Sequence, residues 1–414
     1  MTTQELRRPT DHHLRPLSGR DPQERFRSST PLELLYDLVF VVAFGTAAEQ
    51  AAHYLAQGRV GTEVAGFATA VTAIVVAWGD YSWFTSAYDN DDWVFRVATM
   101  VQMVGVVVVS LGIQDMFVSV AAGGAVDVRV MALGYIVMRL SMVSLWWRVA
   151  RGDSPQAAAA RAHILSIGIA QIGWTVLAFA GLPLLTFVLT GSGFLLLDVV
   201  GPWVAEHKKP TPWHARHIAE RYGLLILVTL GEGVFGTVAA LNALVHADHG
   251  WTADAVLLAV AGIGLTFGMW WMYFAAPWGE VLERHRERSA IWSVNHILLL
   301  SSTSATGAGL HAAASLSQGR STLGRTGTVT AVAIPIAVFV GAVYTFGWVF
   351  LRKTDPVHAL LLTATAAVLV LAVLLAAAGV GIAWCLVVLT AAPVISVIGH
   401  ETIGSRHVSD ALSR

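Results

Sequence analysis

The sequence predicts an all-α polytopic membrane protein of about twelve spans, and three observations carry that expectation. Apolar residues make up 55% of the 414-residue chain and charged residues only 13%, with a mean hydropathy of +0.63. So little polar surface cannot cover a water-facing chain of this length, which would otherwise divide into two or three soluble domains. Apolar runs recur, each near the ~20 residues that cross a bilayer as a helix and each bounded by charge or by Gly and Pro. Positive charge also alternates between successive connections, as cytoplasmic and external loops require.

The elements follow in order. Residues 1–30 hold Arg7, Arg8, Arg15, Arg20, Arg25 and Arg27 among prolines, serines and acids and are expected to form a mostly disordered cytoplasmic tail. They contain no apolar core, so no cleavable signal peptide is expected and the first span inserts as its own signal. Spans are predicted at residues 32–55, 64–84, 95–116, 130–147, 163–180, 184–204, 222–245, 253–274, 291–310, 329–351, 359–380 and 382–398. With the N-terminus inside, the 26 Lys and Arg collect on inside segments and adjoining helix ends. The exceptions are Arg59, Arg129, Arg320 and Arg325 outside, and Arg139 within the fourth span. An even count with both termini cytoplasmic follows. One inside loop dissents, carrying Asp89, Asp91 and Asp92 against only Arg96.

The chain also reads as doubled. Glu33-x-x-Tyr36 opening the first span is echoed by Glu220-Arg221-Tyr222 opening the seventh, and each runs on to a glycine, Gly45 and Gly231. Trp78, Tyr81, Trp83 and Phe84 end the second span as Trp270, Trp271, Tyr273 and Phe274 end the eighth. Gln102 in the third is matched by Asn295 and His296 in the ninth. Two parallel six-helix halves are therefore expected at 31–205 and 206–403, between the tail and a short cytoplasmic end at 404–414. Such halves commonly place a site at their interface in secondary transporters.

Ionisable groups within spans are costly and count as candidate functional groups. In the first span Glu33 and Asp37 share one helical face and Glu49 and His53 share the other, ~24 Å further along. In the seventh, Arg216-His217-x-x-Glu220-Arg221 sets two pairs one turn apart at the helix start, where a salt-bridge cluster that fixes helix position is the simpler reading. Glu232 lies ~18 Å deeper, between Gly231 and Gly233, residues small enough to let another backbone come close. Arg139, in Tyr135-x-x-x-Arg139, is the natural counter-charge, and depth points to Glu49 or Glu232 as its partner. Asp80 sits among aromatics that read as an interface belt. Asp89, Asp91 and Asp92 could hold a divalent cation, but a solvated loop paired with Arg96 is the simpler reading. His296 and His311 are ~22 Å apart in height and cannot share a metal ion. A single cysteine, Cys385, excludes an internal disulfide and any multi-cysteine metal site. A net charge of −1 gives no case for nucleic acid, and no catalytic motif stands in a fitting context.

These residues resemble a known family, the bacterial low temperature requirement A (LtrA) membrane proteins. The likeness rests on Glu33 to Val41, on Tyr88-Asp89-Asn90-Asp91-Asp92-Trp93 with Arg96 and Val101-Gln102-Met103, and on Tyr135-x-x-x-Arg139. It continues through Arg216 to Leu224, Leu230-Gly231-Glu232, and Trp270 to Phe274. It departs at Leu35-Tyr36, where the family usually has two phenylalanines, and at His311, where the family usually has an acid. The resemblance implies a multipass inner-membrane protein linked by name to growth in the cold, and no particular chemistry. A fainter likeness joins Tyr36-Asp37-x-Val39-Phe40-x-x-Ala43 to the opening of a class of lysosomal and prokaryotic potassium channels. The arginine that precedes that motif is missing, the nearest upstream being Arg27.

The leading expectation is a secondary transporter of an unidentified small solute or ion in the bilayer. Asp37 and Glu232 would be the coupling carboxylates, their proton affinity raised by burial, with Arg139 as counter-charge. A cation channel, a membrane-embedded enzyme with His53, His296, His311 or His400 as metal or haem ligand, and a non-transporting structural or regulatory protein stay open. No cofactor is assigned, and a homo-oligomer is compatible with the sequence.

Overall fold

The computed structural model describes residues 14–21, 24, 27–206, 210–247, 250–351 and 356–404. Arg7, Arg8 and Arg25 of the expected N-terminal tail and residues 405–414 of the expected C-terminal end lie outside them. The helices are α1 Pro31–Ala56, α2 Val60–Tyr88, α3 Trp93–Ala122, α4 Arg129–Gly152, α5 Ala157–Phe179, α6 Leu184–Glu206 and α7 Ala215–Ala247. They continue with α8 Ala253–Phe274, α9 Trp278–Arg284, α10 Ser289–Ser317, α11 Gly324–Leu351, α12 Pro356–Ala377 and α13 Ile382–Gly399. Every predicted span falls on one of the long helices, and the short α9 is an addition. Among the described residues 11 helices are long and apolar enough to cross a membrane. The twelfth long helix, α10, is diluted by Ser301, Ser302, Thr303, Ser304, Thr306 and Gly307. Most of its middle is buried, so protein rather than lipid surrounds those hydroxyls.

The chain forms two compact units. The first comprises Met1–Val39, Val76–Gly112 and Ala125–His214; the second comprises Phe40–Val75, Ile113–Gly124 and Ala215–Arg414. Helices α1, α2 and α3 each contribute one part to either unit.

In the first unit, α3 and α4 meet backbone to backbone. A Cβ added at Gly134 would lie 2.6 Å from both the Gly105 carbonyl oxygen and the Val109 nitrogen. Small residues permit this approach where lipid supplies no hydrophobic drive for helices to associate. Trp146 of α4 stacks on His163 of α5 at 4.0 Å. The described part of the N-terminal segment, expected to be mostly disordered, is held here instead. The Gly19 N–H donates to Asp153 Oδ2 at 3.0 Å and the Arg20 N–H to the Ala87 carbonyl at 2.9 Å, and Leu17 is buried. Thr30 then starts α1 with a reciprocal cap: its N–H donates to Glu33 Oε2 at 2.8 Å, and its hydroxyl accepts from the Glu33 N–H at 3.3 Å.

In the second unit α10 packs between α7 and α11, and α13 packs on α8 and α12. The α7–α10 crossing is again made of glycines: a Cβ at Gly236 would lie 2.5 Å from the Gly307 carbonyl oxygen. Thr303 donates to the Thr229 hydroxyl at 2.7 Å nearer the N-terminal end of both helices, so α7 and α10 run parallel.

Candidate functional site

In the first unit the embedded arginine has its counter-charges. Arg139 is buried, its guanidinium bonded to Asp80 and, at 3.1 Å, to Asp198 Oδ1. The Trp174 indole N–H donates to the other Asp198 oxygen at 2.9 Å, and the guanidinium carbon lies 5.7 Å from the Tyr135 ring centroid. This corrects the expected partner: it is neither Glu49 nor Glu232. Asp80, expected as a supporting residue among the belt aromatics, is an ion-pair partner, and Asp198 is a partner that carries no expectation from sequence. Its signal was there, since Asp198 is the lone charge in the predicted span 184–204.

Asp37 is buried and accepts the Trp78 indole N–H at 2.7 Å. Beside it Tyr36 stacks on Tyr81 at 3.8 Å and donates to Gln102 Oε1 at 3.3 Å. Glu33 is 3.5 Å from Arg27, whose guanidinium also reaches Asp89 at 3.7 Å and caps the carbonyls of Thr85 and Ser86 at the end of α2. The dissenting acidic loop is thereby explained. Asp89 faces Arg27 and Arg20, Asp92 is held by Arg148, and Asp91 takes both ends of the exposed Arg96 at 2.8 and 2.9 Å. Each carboxylate faces arginine, so the loop is no divalent-cation site. Three of these arginines come from distant segments, which a loop-by-loop charge count cannot see. Burial and the nearby Glu33 carboxylate push Asp89 up to about 6 against Arg27 and Arg20. At Asp92 burial is outweighed by the Arg148 bond and the Phe95 and Arg15 N–H donors, which leave it below the usual carboxylate range.

In the second unit an analogous aromatic group uses the positions that echo the first. Tyr222 lies 4.3 Å from the His296 ring and Tyr273 donates to His296 Nε2 at 2.8 Å. The Nδ1–H of His296 donates to the Trp292 carbonyl at 2.8 Å. Both ring nitrogens are engaged, which removes His296 as a metal or haem ligand. His53 is exposed beside Gln57, and His400 bonds the Ala275 carbonyl at 3.1 Å.

Glu220 and Glu49 were expected to be embedded, and both are exposed. Glu220 shares an outward face with Arg216, which pairs with Glu283 of α9 at 2.8 Å, while His217 and Arg221 turn inward and are fully buried. Glu49 is exposed one turn beyond Gly45 on α1 and interacts electrostatically with His311 of α10.

Glu232 differs from all of these. It sits midway along α7, is 4% exposed, and has no hydrogen-bond or ion-pair partner among the described residues. Two glycines make room for it, though not the neighbours Gly231 and Gly233 that drew attention in the sequence. A Cβ at Gly45 of α1 would lie 3.3 Å from Glu232 Oε1, and one at Gly307 of α10 would lie 2.6 Å from the Glu232 carbonyl. Gly231 meets nothing, and Gly233 faces Thr266 of α8.

A family model described as bacterial low temperature requirement A protein (LtrA) matches residues 28–393. The chain belongs to the LtrA family. The LtrA match begins at the segment leading into α1 and ends within α13, so it takes in Asp37, the Arg139 cluster and Glu232 together. No curated protein matches this LtrA chain.

Proposed function

We propose that this LtrA protein is a secondary transporter of a small solute, coupled to a proton or ion, in the bacterial cytoplasmic membrane with both termini inside. Glu232 is the coupling carboxylate and Asp37 a second embedded acid. The observation that carries this reading is the solitary state of Glu232: a carboxyl group in mid-helix, buried, with glycines rather than a cation beside it. Holding it charged there would cost several kcal/mol, so it is comfortable only when a proton or another cation accompanies it. A residue kept for helix association alone would gain from a fixed partner, as Arg139 has. Arg139 itself leaves the coupling scheme, because Asp80 and Asp198 occupy it.

The test uses purified full-length protein in vesicles loaded with a pH-sensitive dye, challenged with a panel of amines, organic acids and inorganic ions under imposed proton and sodium gradients. Coupled lumenal pH change or tracer uptake is expected for the wild type and its loss for Glu232→Gln, with Asp37→Asn impaired and both variants monodisperse on size exclusion. Normal coupled flux in both variants would end the proposal. Currents without coupling would replace it with a channel.

A further inference from the structure

The junction of α1, α7 and α10 within the second unit holds two buried polar side chains that no described residue satisfies. One is Glu232; the other is Ser304 of α10, 0% exposed with no partner for its hydroxyl. Ser304 and His311 are seven residues apart and so share a helical face. Ser304 follows Thr303, which bonds Thr229 of α7, and precedes by about one turn Gly307, which abuts Glu232, so it borders the face of α10 that meets α7. The Glu232 carboxyl reaches α1 at Gly45. Helical side chains lean toward the N-terminus, so a carboxyl whose backbone is level with Gly307 hangs at about the height of Ser304. The gathered polar atoms are oxygens, the donor type that suits hard cations.

We propose that this junction binds one monovalent cation, sodium or a proton, between Glu232 and Ser304, reached from the C-terminal ends of α1 and α10 past Glu49 and His311. Glu49 follows Gly45 and His311 follows Gly307 by one turn, ~6 Å further along each helix, so both stand between the site and the helix ends. They are the titratable groups that face it from α1 and α10; α8 presents Thr266 and Gly262 against α7 here. The proposal rests on reading Glu232 as the coupling carboxylate and names what that carboxylate binds.

Dicyclohexylcarbodiimide, which modifies protonated carboxyls in apolar surroundings, gives a direct readout on the full chain by mass spectrometry of the Glu232 peptide. With choline replacing sodium at constant ionic strength, a sodium site is seen as labelling slowed severalfold by sodium. Ser304→Ala then raises the sodium needed for half-protection about tenfold, the loss expected for one bond to a charged group. A proton site is seen as labelling that ignores sodium, falls as pH rises, and shifts its midpoint in Ser304→Ala. Labelling indifferent to both sodium and pH, or identical in Ser304→Ala and wild type under every condition, overturns the proposal. The two readings fail separately. Cation-sensitive labelling with normal flux in Glu232→Gln leaves the site and removes the transporter. Glu232-dependent flux with indifferent labelling does the reverse.

Discussion

Replacing Arg139 with methionine would test how the first unit tolerates charge in the membrane. The substitution keeps an unbranched stem but strips the cation from two carboxylates at once. The Arg139 and Asp198 side chains are 6% and 4% exposed, so water cannot take over from the guanidinium; Asp80, at 19%, is better placed to recover hydration. Removing one partner of a buried ion pair costs roughly 3–5 kcal/mol, because the survivor is left charged and alone. At 1.4 kcal/mol per factor of ten, the unfolding equilibrium should move by roughly two to four orders of magnitude. Neutralising the whole cluster, as Arg139→Met with Asp80→Asn and Asp198→Asn, removes the stranded charges along with the cation. The triple variant should therefore be more stable than the single one. Unfolding of detergent-solubilised protein, followed by tryptophan fluorescence or by light scattering on heating, measures both. A single variant as stable as wild type, or a triple variant no better than the single, would refute the reasoning.

Other expectations follow from contacts and titration. Gly307→Ala places a methyl 2.6 Å from the Glu232 backbone and should cost about 1–3 kcal/mol by overpacking. Gly231→Ala, with nothing within 4 Å, should leave stability unchanged in the same unfolding assay. Asp89 keeps its proton to about pH 6 in the folded protein against an ordinary value of 3.8. Its contribution is therefore complete below that lower value and is lost as pH rises through about 6. Asp89→Asn should flatten this segment of a plot of unfolding temperature against pH. Asp92 has the opposite sign: its folded-state value is depressed, so its contribution is lost as pH falls below the ordinary carboxylate range. Asp92→Asn should remove that acid-side loss and, by freeing Arg148, lower stability at neutral pH.

Much of this protein was legible in the chain before any helix was placed. Spans were, because hydropathy and length are local properties and a bilayer accepts no other backbone than one bonded to itself. Glu232 and Arg139 stood out for the same reason, as charges where charge is expensive. Partners did not. Arg139 was matched by depth to Glu49 or Glu232, whereas Asp80 and Asp198 hold it. Depth along a helix says nothing about which neighbour lies at that height. Glu49 and Glu220 are expected from sequence to be embedded and are exposed, because a helix apolar on nearly every side has no stripe that marks its buried face.

Sequence alone determined that this is a multipass helical membrane protein of the LtrA family, with tyrosine, aromatic and amide or imidazole positions repeated along its length. Tertiary structure decided which charges are neutralised and which is left alone, for that depends on the faces that meet across helices far apart in the chain. Gly45 and Gly307 are unremarkable residues in apolar runs. Only the fold brings them to either side of Glu232.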